Sequence, residues 1–451
     1  MEGARRAWLT LAVVASVVAV IAIARWSAAL VSGEPILYGE GAVAHTAILA
    51  RDHLEYADVT IFTAANYPPL YFHIASLLDP FVAGRLASIG AAAFVTGAIF
   101  TRARRAGVVV AVALAASWLA SAPVAVWGPA VKPDLVALAF TVAGVLALDR
   151  RRAALAGAAL ALAIWTKPTA ALPALTLVMY LLVADRFLLP RFAVAAAAAG
   201  AIAAVLTHIP DGALFEHVVA RNALDWSATQ LILLLVLAFV VAGATVVAYA
   251  LTRPNGPIAA YALGAVGIVV LGGREGATFN YLLDVITAAT LGLAAVAPRL
   301  SVSGLFPVAA AAQLVIALAV LDPLGVLPGR AITTGAWAPS GRVAVVAGIP
   351  GELLVEDAGL LVANGREPAV DDLFLWSRLH DRGSPAAGSR LLEAVRSAEF
   401  AAVVSEVDLA RIDLAPAFER ERWHSDLVAA VLARYRLDRS VSGLFVYTLS
   451  R

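Results

Sequence analysis

The chain has 451 residues, of which 61% are hydrophobic and 14% are charged, and its mean hydropathy is +0.86. Soluble domains carry about a quarter of charged residues, so this composition excludes an ordinary water-soluble protein and indicates a polytopic membrane protein. The net charge of +1 gives no electrostatic reason to expect a nucleic-acid partner. The absence of cysteine excludes disulfides and thiolate metal sites.

Recurring apolar segments in residues 1–322 predict about eleven transmembrane helices. The first is expected to be an uncleaved helix rather than a signal peptide, because ten further apolar segments follow it. The segments lie at residues 7–31, 81–101, 106–127, 134–148, 153–166, 169–184, 191–207, 228–252, 257–273, 279–297 and 301–321.

The basic residues divide unevenly between the two sides of these segments. A cytoplasmic N-terminus puts twelve arginines on the cytoplasmic connections and only four cations on the short outer connections. Cytoplasmic loops of membrane proteins are enriched in Lys and Arg. We therefore predict a multi-pass protein of the cell membrane with a cytoplasmic N-terminus and an extracytoplasmic C-terminal part. The four outer cations are Lys132, Lys167, Arg221 and Arg274.

Two stretches then fall outside the membrane. Residues 32–80 form a long first outer loop, in which residues 41–55 predict a helix with one apolar face lying in the membrane interface. Residues 323–340 are rich in Pro and Gly and predict a linker. The predicted domains are thus a transmembrane domain of residues 1–322, which includes the first loop, and an extracytoplasmic α/β domain of residues 341–451.

Short apolar runs define the predicted elements of this C-terminal domain. Strands are predicted at residues 342–347, 353–356, 360–363, 401–404 and 443–449. Helices are predicted at residues 389–398 and 425–435.

The first outer loop carries the candidate reactive carboxylates. Glu40 is the first choice, because it begins a predicted helix where the helix dipole favours an anion, and it can accept a proton from an attacking hydroxyl. The alternative is that Glu40 only caps the helix. Glu34 and Asp58 are the further carboxylate candidates. Tyr67 and Tyr71 flank two prolines and are predicted to lie at headgroup depth, where they and Asp58 are assigned to substrate binding.

Lys132 and Lys167 are the only lysines, against 31 arginines, and each precedes a proline on the predicted outer face. Lysine is a compact point charge suited to phosphate, so the pair predicts a phosphate clamp. The alternative is that each ammonium snorkels to the headgroups. Asp134 is expected to pair with Lys132 or to orient it, because an unpaired carboxylate at the start of a spanning helix is costly. Arg274 is a third outward cation able to reach the same phosphate.

Asn280 and Tyr281 open a late apolar segment, where they either bond sugar hydroxyls or pack against a neighbouring helix. His45, Asp52 and His53 are the residues that raise the question of a metal. His45 and Asp52 are seven residues apart and can share a helix face, but two ligands do not make a metal site. No metal ligand and no required cofactor are therefore predicted.

Six short motifs, in order along most of the chain, resemble those of the bacterial GT-C membrane glycosyltransferases. The resemblance is to the RgtA/B/C/D-like branch, which is related to protein O-mannosyltransferases and aminoarabinose transferases. The matching motifs are Gly39-Glu40-Gly41, Tyr67-Pro68-Pro69-Leu70-Tyr71, Gly84-Arg85-Leu86-Ala87-Ser88, Lys132-Pro133-Asp134, Asn280-Tyr281 and Ala363-Asn364-Gly365-Arg366-Glu367-Pro368.

The resemblance implies a GT-C fold and an enzyme that moves a hexose or pentose from a polyprenyl phosphate to an acceptor on the outer face. The acceptor class stays open between protein, lipid and glycan. The resemblance further implies inversion at the sugar, a first-loop carboxylate as base, and Lys132, Lys167 and Arg274 as ligands of the lipid phosphate. Many relatives place an Asp or an Asp-Glu pair near the base. This chain has two separated glutamates instead, Glu34 and Glu40.

The main alternative is a transporter or flippase of lipids or lipid-linked sugars. Transporters place polar groups at the middle of the membrane, on broken helices and in matched repeats. Here the polar residues gather at the predicted outer edge, which favours surface chemistry over passage through the bundle. A non-catalytic scaffold or receptor with an outer α/β domain is the third class.

Overall fold

The computed structural model describes residues 2–208, 213–326 and 337–450. In chain order the helices are α1 (Glu2–Ser32), α2 (Glu40–Leu49), α3 (Pro69–Ala75), α4 (Pro80–Ala103), α5 (Val108–Ala120), α6 (Ala122–Trp127), α7 (Asp134–Asp149), α8 (Ala153–Thr166), α9 (Ala171–Ala184), α10 (Leu189–Leu206), α11 (Ala213–Phe215), α12 (Ala228–Leu251), α13 (Gly256–Leu271), α14 (Leu283–Ala295), α15 (Ala297–Leu300), α16 (Leu305–Leu321), α17 (Arg342–Ala347), α18 (Gly359–Val362), α19 (Leu373–Asp381), α20 (Arg390–Arg396), α21 (Ala417–Arg420) and α22 (Ser425–Arg434). The strands are β1 (Leu353–Val355), β2 (Ala402–Ser405), β3 (Tyr435–Val441) and β4 (Leu444–Leu449).

Every predicted apolar segment contains a helix, which confirms the polytopic α-helical membrane architecture. Four of the described helical stretches are long and apolar enough to cross a bilayer by themselves: Glu2–Ser32, Pro80–Ala106, Arg186–Leu206 and Ala228–Leu251. Shorter apolar helices supply the remaining segments. The segment at 106–127 is broken into α5 and α6, because Ser121 is extended (ψ 141°) and a proline near the start of α6 cannot continue the helix.

The chain divides into two compact units, each with its own contacts. The first, called here the membrane unit, comprises Met1–Ala28, Arg85–Thr207 and Asp225–Thr333. The second, called the globular unit, comprises Ala29–Gly84, His208–Leu224 and Thr334–Arg451.

Polar groups inside the membrane unit are matched to partners on neighbouring helices. The buried Arg25 and its neighbour Trp26, on α1, both donate to the carbonyl of Ala125, at 2.7 and 2.9 Å. Trp118 Nε1 on α5 donates to Thr287 Oγ1 on α14 at 2.8 Å. Hydrocarbon offers no water to replace such bonds, so these pairs fix which helices pack together.

The globular unit is built on a four-stranded sheet of order β1-β2-β4-β3. Strands β1 and β2 are parallel, and β4 pairs antiparallel with both β2 and β3. This mixed sheet and its helices confirm the predicted C-terminal α/β fold. The sheet order requires a crossover between β1 and β2, which α19 and α20 supply.

The first outer loop belongs to this globular unit, whereas the sequence grouped residues 32–80 with the transmembrane part. Phe62 pairs in parallel with Val370, through backbone bonds of 3.2 and 3.0 Å to Ala369 and Asp371. Phe62 also lies in the same apolar core as Trp376. These contacts join residues about 300 positions apart, so no local pattern predicts them.

Two of the predicted strands are helices. The apolar runs at 342–347 and 360–363 form α17 and α18, which is a correction. A side chain just before each helix accepts a backbone N–H: Ser340 Oγ accepts from Arg342 N at 3.3 Å, and Asp357 Oδ1 accepts from Gly359 N at 3.0 Å. These bonds satisfy the first backbone N–H group of each helix, whereas a short Val- or Leu-rich run does not by itself distinguish a helix from a strand.

The sequence also missed β3 and α19. Strand β3 is exposed at every residue after Tyr435, as suits the edge of a sheet, and three of its seven residues are charged. Helix α19 follows the N-cap residue Asp372, whose side chain accepts from Leu375 N. Of the predicted linker at 323–340, residues 327–336 lie outside the described residues.

Helix α2 is the observed counterpart of the predicted interfacial helix, but it has no free apolar face. It ends at Leu49, and all residues from Glu40 to Ala47 are buried. It packs against α18 and α3 of the globular unit. The expected amphipathic helix is therefore corrected to a helix enclosed by protein, because the run 40–47 carries small and apolar residues on every side.

Candidate functional site

Two sets of predicted site residues are found, one in each unit. In the membrane unit Asp134 is the first residue of α7, and Lys167 follows the last residue of α8. Asn280 and Tyr281 lie in a 3₁₀ turn (Phe279–Leu282) that leads into α14. Prolines beside Asp134 and Lys167 start or stop regular structure there, so these polar side chains sit at helix ends.

The structure brings five of the predicted residues together, and we call Asp134, Lys167, Arg274, Asn280 and Tyr281 the rim cluster. Asp134 Oδ1 accepts from Lys167 Nζ at 2.6 Å and from Asn280 Nδ2 at 2.7 Å. Lys167 Nζ lies 5.2 Å from the centre of the Tyr281 ring. Arg274 Nη2 in turn donates to the Tyr281 hydroxyl at 3.2 Å. Two cations therefore approach one tyrosine.

Lys167 is the lysine that is hydrogen-bonded to Asp134. Lys167 is only 9% exposed and is held in this pair, so it does not snorkel to the membrane surface. The second carboxylate oxygen, Asp134 Oδ2, is buried and has no hydrogen-bond partner within the described ranges. A buried polar atom without a partner is costly and calls for a ligand or water.

Lys132 lies two residues before Asp134 and is half-buried. Its carbonyl accepts the Ser88 hydroxyl at 3.3 Å, and the same hydroxyl lies 2.8 Å from the carbonyl of Ala130. Ser88 closes the Gly84–Ser88 motif on α4, so that motif positions the turn that carries Lys132. The role of Lys132 as a phosphate ligand stays a prediction.

In the globular unit Glu40 begins α2 and is fully buried. Its Oε2 accepts from Ile36 N at 2.7 Å, so the carboxylate closes the turn that leads into the helix. Gly39 has φ +77°, a conformation that favours glycine. A Cβ on Gly41 would stand 2.6 Å from the carbonyl carbon of Ala358. The Gly39-Glu40-Gly41 motif thus fixes where the carboxylate stands.

We expect Gly41→Ala to lower the thermal midpoint of the protein, because the added methyl group collides with backbone that has no room to move. Overpacking of this kind costs about 1–3 kcal/mol. Gly90→Ala on α4 is the matched control, since nothing lies within 4 Å of its added methyl. The measurement is thermal unfolding in detergent. Equal midpoints for the two variants would contradict the close approach of α2 and α18.

Glu34, the second candidate base, is engaged in a structural contact. Its Oε2 accepts from the backbone N and the hydroxyl of Ser340, at 2.7 and 2.6 Å. Ser340 precedes α17, so Glu34 fastens the start of the first loop to the C-terminal segment. The structure therefore gives both glutamates a backbone partner, and the choice between them as the base stays a prediction.

Asp58 forms a bidentate ion pair with Arg221, in which both oxygens accept at 2.8 Å. Arg221 Nη1 also donates to the Thr63 carbonyl at 3.1 Å. His217 Nε2 lies 3.7 Å from Asp58, and the His217 side chain is buried. The Arg221 bond lowers the pKa of Asp58 against the opposing effect of burial. Asp58 thus anchors the loop.

Burial, and then the charge of Arg221, lower the pKa of His217 to about 4. The pKa of histidine in an unfolded chain is about 6.5. At mildly acidic pH the unfolded chain therefore binds a proton at His217 that the folded protein does not bind. Stability from this group is complete above pH 6.5 and is lost as the pH falls toward 4, by on the order of 2 kcal/mol.

The thermal midpoint is therefore expected to fall between pH 7 and pH 5, and less steeply in His217→Gln, which cannot take up the proton. The measurement is a series of melting curves across that range for both proteins. Identical pH profiles would contradict a neutral, buried His217.

The tyrosines of the Pro-Pro motif serve the fold. Tyr71 is fully buried in α3 and donates its hydroxyl to the Gly84 carbonyl at 3.2 Å. Tyr67 is half-buried, and its carbonyl accepts the Tyr56 hydroxyl at 2.9 Å. Their substrate contacts stay predictions, and the geometry favours Tyr67 over the enclosed Tyr71.

One positioning contact was missed from the sequence. Tyr38, two residues before Glu40, donates its hydroxyl to Asp372 Oδ1 at 3.0 Å and accepts from Phe374 N at 2.9 Å. The guanidinium of Arg422 lies 4.0 Å from the centre of the Tyr38 ring. Burial and Asp372 raise the pKa of this phenol, so it stays protonated and can donate. The position of Tyr38 in the pattern Tyr-Gly-Glu-Gly was the only local indication of this contact. The residues that bind Tyr38 lie over 330 positions away and could not be predicted.

Three side chains of the first outer loop are close enough together to hold a metal ion. His53, Glu55 and His73 bring three ligand atoms within 4.8 Å of one another, and the ring of His208 lies 4.2 Å from that of His53. Glu55 Oε1 is 3.3 Å from His73 Nε2. Imidazole and carboxylate ligands suit zinc and its neighbours. His45, the earlier candidate, instead pairs with Asp371 at 2.7 Å.

Two solved structures share this architecture. One is ArnT from Cupriavidus metallidurans bound to undecaprenyl phosphate, which aligns with a TM-score of 0.57 at 17% sequence identity, over 95% of this chain and 96% of that one. The other is the same protein in the apo state, with a TM-score of 0.53 at 16% identity and the same coverage. The chain has the ArnT fold. No protein-family model and no curated protein matches the sequence.

The ArnT fold is the GT-C fold that the sequence motifs implied, so the expected fold class is confirmed. At 17% identity the likeness establishes the fold and not the reaction.

Proposed function

We propose that the protein is a glycosyltransferase that moves a sugar from a polyprenyl phosphate to an acceptor on the outer face of the cytoplasmic membrane. The observation that carries the proposal is the rim cluster, which joins buried Lys167 to Arg274 through Tyr281. It occurs in a chain with the fold of a protein that binds undecaprenyl phosphate. Cations at a helix end are suited to the phosphate of such a lipid.

In the proposed reaction an acceptor hydroxyl attacks the anomeric carbon of the sugar. The bond from that carbon to the phosphate oxygen breaks, and the proton of the hydroxyl passes to Glu40. A single displacement of this kind inverts the anomeric configuration. The polyprenyl phosphate leaves with the bonding electrons, so negative charge grows on its phosphate as the bond breaks.

The growing negative charge on the phosphate is stabilised by three cations, Lys132, Lys167 and Arg274. Cations already in position stabilise this charge more than they stabilise the uncleaved donor. Lys167 gives one of its three N–H donors to Asp134 and keeps two for a ligand. Asn280 shares Asp134 with it and so holds the carboxylate in place. Asp134 is a positioning residue in this scheme.

The test of function supplies membranes containing the protein with radiolabelled polyprenyl-phosphate sugars, both hexoses and pentoses. We expect label from one donor to leave the lipid fraction and to appear in protein, lipid or glycan. Movement of the intact labelled lipid between leaflets without transfer is the outcome that a flippase gives. It would overturn the proposal.

The orientation of the termini is part of the proposal, and the absence of cysteine makes it easy to test. Single cysteines at Ser440, exposed on β3, and at Arg105, exposed after α4, supply the two reporters. In intact cells a membrane-impermeant maleimide is expected to label Ser440→Cys but not Arg105→Cys. The reverse labelling would place the globular unit in the cytoplasm and contradict an outer-face reaction.

A further inference from the structure

A second group of ligand-type side chains lies within the C-terminal part of the globular unit, at the junction of α19 and α22. His380 is in the last turn of α19, His424 is the N-cap of α22, and Asp426 follows in its first turn. Asp426 Oδ2 lies 3.8 Å from His380 Nε2 and 3.8 Å from His424 Nδ1. The ligand atoms of the three residues all lie within 4.8 Å of one another.

In each imidazole, the nitrogen that faces away from Asp426 is hydrogen-bonded to an acceptor. His380 Nδ1 lies 3.1 Å from the carbonyl of Ala387, so it carries the proton and leaves the Nε2 lone pair facing Asp426. His424 Nε2 lies 2.8 Å from the carboxylate of Asp381. Histidines that bind metals characteristically donate their second N–H to a carboxylate or a backbone carbonyl, and this cluster has one of each.

The nitrogen of His424 that faces Asp426 is also unprotonated, because Nδ1 accepts from the backbone N–H of Asp426 at 3.1 Å. A metal ion bound at Nδ1 would replace this hydrogen bond. Both rings are fixed in place. The His380 ring stacks on Trp376 at 4.8 Å and 10°, and the His424 ring meets it edge-on at 4.7 Å. The Nε2 lone pair of His380 and one carboxylate oxygen of Asp426 thus face each other, and His424 Nδ1 can join them once its bond to the Asp426 N–H is released.

We propose that His380, His424 and Asp426 bind a divalent transition-metal ion, with Zn²⁺ the best match, and leave a fourth position open. Zinc bonds of about 2.0 Å in a tetrahedron place neighbouring ligand atoms about 3.3 Å apart. The observed 3.8 Å separations need only small side-chain shifts to reach that value. Two imidazoles and one carboxylate without a thiolate form a set that zinc accepts and that Ca²⁺ and Mg²⁺ disfavour.

The bound ion would join the end of α19 to the start of α22. Asp426 is more than half exposed, so the ion has a path from solvent, while His424 is largely covered. This site uses none of the residues assigned to sugar transfer, and the inference does not depend on the proposed function. Asp381 acts on the ion only through His424 and is a positioning residue.

The experiment uses the full chain in detergent, loaded with Zn²⁺ or Co²⁺, freed of excess ion and analysed by elemental mass spectrometry and visible absorption. The background variant is Glu55→Gln, which removes a ligand from the other candidate cluster. In that background we expect about one equivalent of metal and the intense cobalt bands of a tetrahedral site. Adding His380→Gln or His424→Gln is expected to remove both signals.

Asp426→Asn controls for misfolding, because it changes an exposed side chain and keeps its size. It is expected to weaken metal binding and to abolish the rise in thermal midpoint that zinc produces. Asp381→Asn is expected to weaken affinity by about 10–100-fold. A Glu55→Gln protein that binds no metal overturns the proposal. So does metal content that is unchanged by both histidine substitutions.

Discussion

Glu40→Gln is expected to lower the rate of sugar transfer by about 10²–10⁴-fold, the contribution typical of a general base. Glutamine keeps an oxygen that can accept from Ile36 N, as Glu40 Oε2 does at 2.7 Å, so the turn before α2 is preserved. The substitution therefore removes the base and keeps an acceptor for Ile36 N. The measurement is initial transfer rate at matched protein level and membrane insertion.

Glu34→Gln is the matched control, because Glu34 also accepts from a backbone N–H, that of Ser340. It is expected to retain most of the transfer activity if Glu40 is the base. A large loss in Glu34→Gln with near-normal transfer by Glu40→Gln would move the role of the base to Glu34. Near-normal transfer by both variants would remove the first-loop carboxylate from the mechanism.

Lys167→Met is expected to cost both stability and activity. Removing the ammonium leaves the buried carboxylate of Asp134 with Asn280 as its remaining hydrogen-bond donor among the described residues. Breaking a buried ion pair in this way costs about 3–5 kcal/mol. Thermal midpoints of the purified variants measure the first effect, and transfer rates measure the second.

The double variant Lys167→Met with Asp134→Asn separates the two effects. It removes both charges, so most of the lost stability is expected to return. Transfer is expected to stay at least about 10²-fold below wild type, because one cation at the departing phosphate is still missing. A double variant that transfers sugar at the wild-type rate would show that the pair is purely structural.

Lys132→Gln provides the contrasting case. Lys132 is half-buried and lies two residues before Asp134, and glutamine removes its charge. We expect a higher KM for the lipid donor, because one cation assigned to the phosphate is lost. Unchanged KM would remove Lys132 from the phosphate assignment and restrict it to Lys167 and Arg274.

The membrane helices were predictable because their signal is local. Each span is a run of apolar residues, and arginines mark the connections. The rim cluster was partly predictable for the same reason, since Asp134, Lys167 and Tyr281 are polar residues at the edges of such runs. Their pairing was not, because it depends on which helix ends meet: Asp134 and Lys167 close on one another although Lys132 is nearer in sequence.

The globular unit was harder to predict because its contacts are distant in sequence. Phe62 packs beside Trp376, and Tyr38 bonds to Asp372, so the first loop and the C-terminal segment fold as one body. Short runs such as 342–347 carry the same apolar residues whether they form a strand or a helix. In the folded chain, Ser340 and Asp357 each accept a backbone N–H at the start of the helix that follows.

The most direct test of sugar transfer uses the purified protein in lipid nanodiscs with a labelled polyprenyl-phosphate sugar and its acceptor. The proposed reaction predicts that each labelled sugar transferred releases one polyprenyl phosphate, and that Glu40→Gln suppresses both products together. Full retention of label on the lipid by the wild-type protein, with every sugar donor and acceptor class supplied, would contradict it.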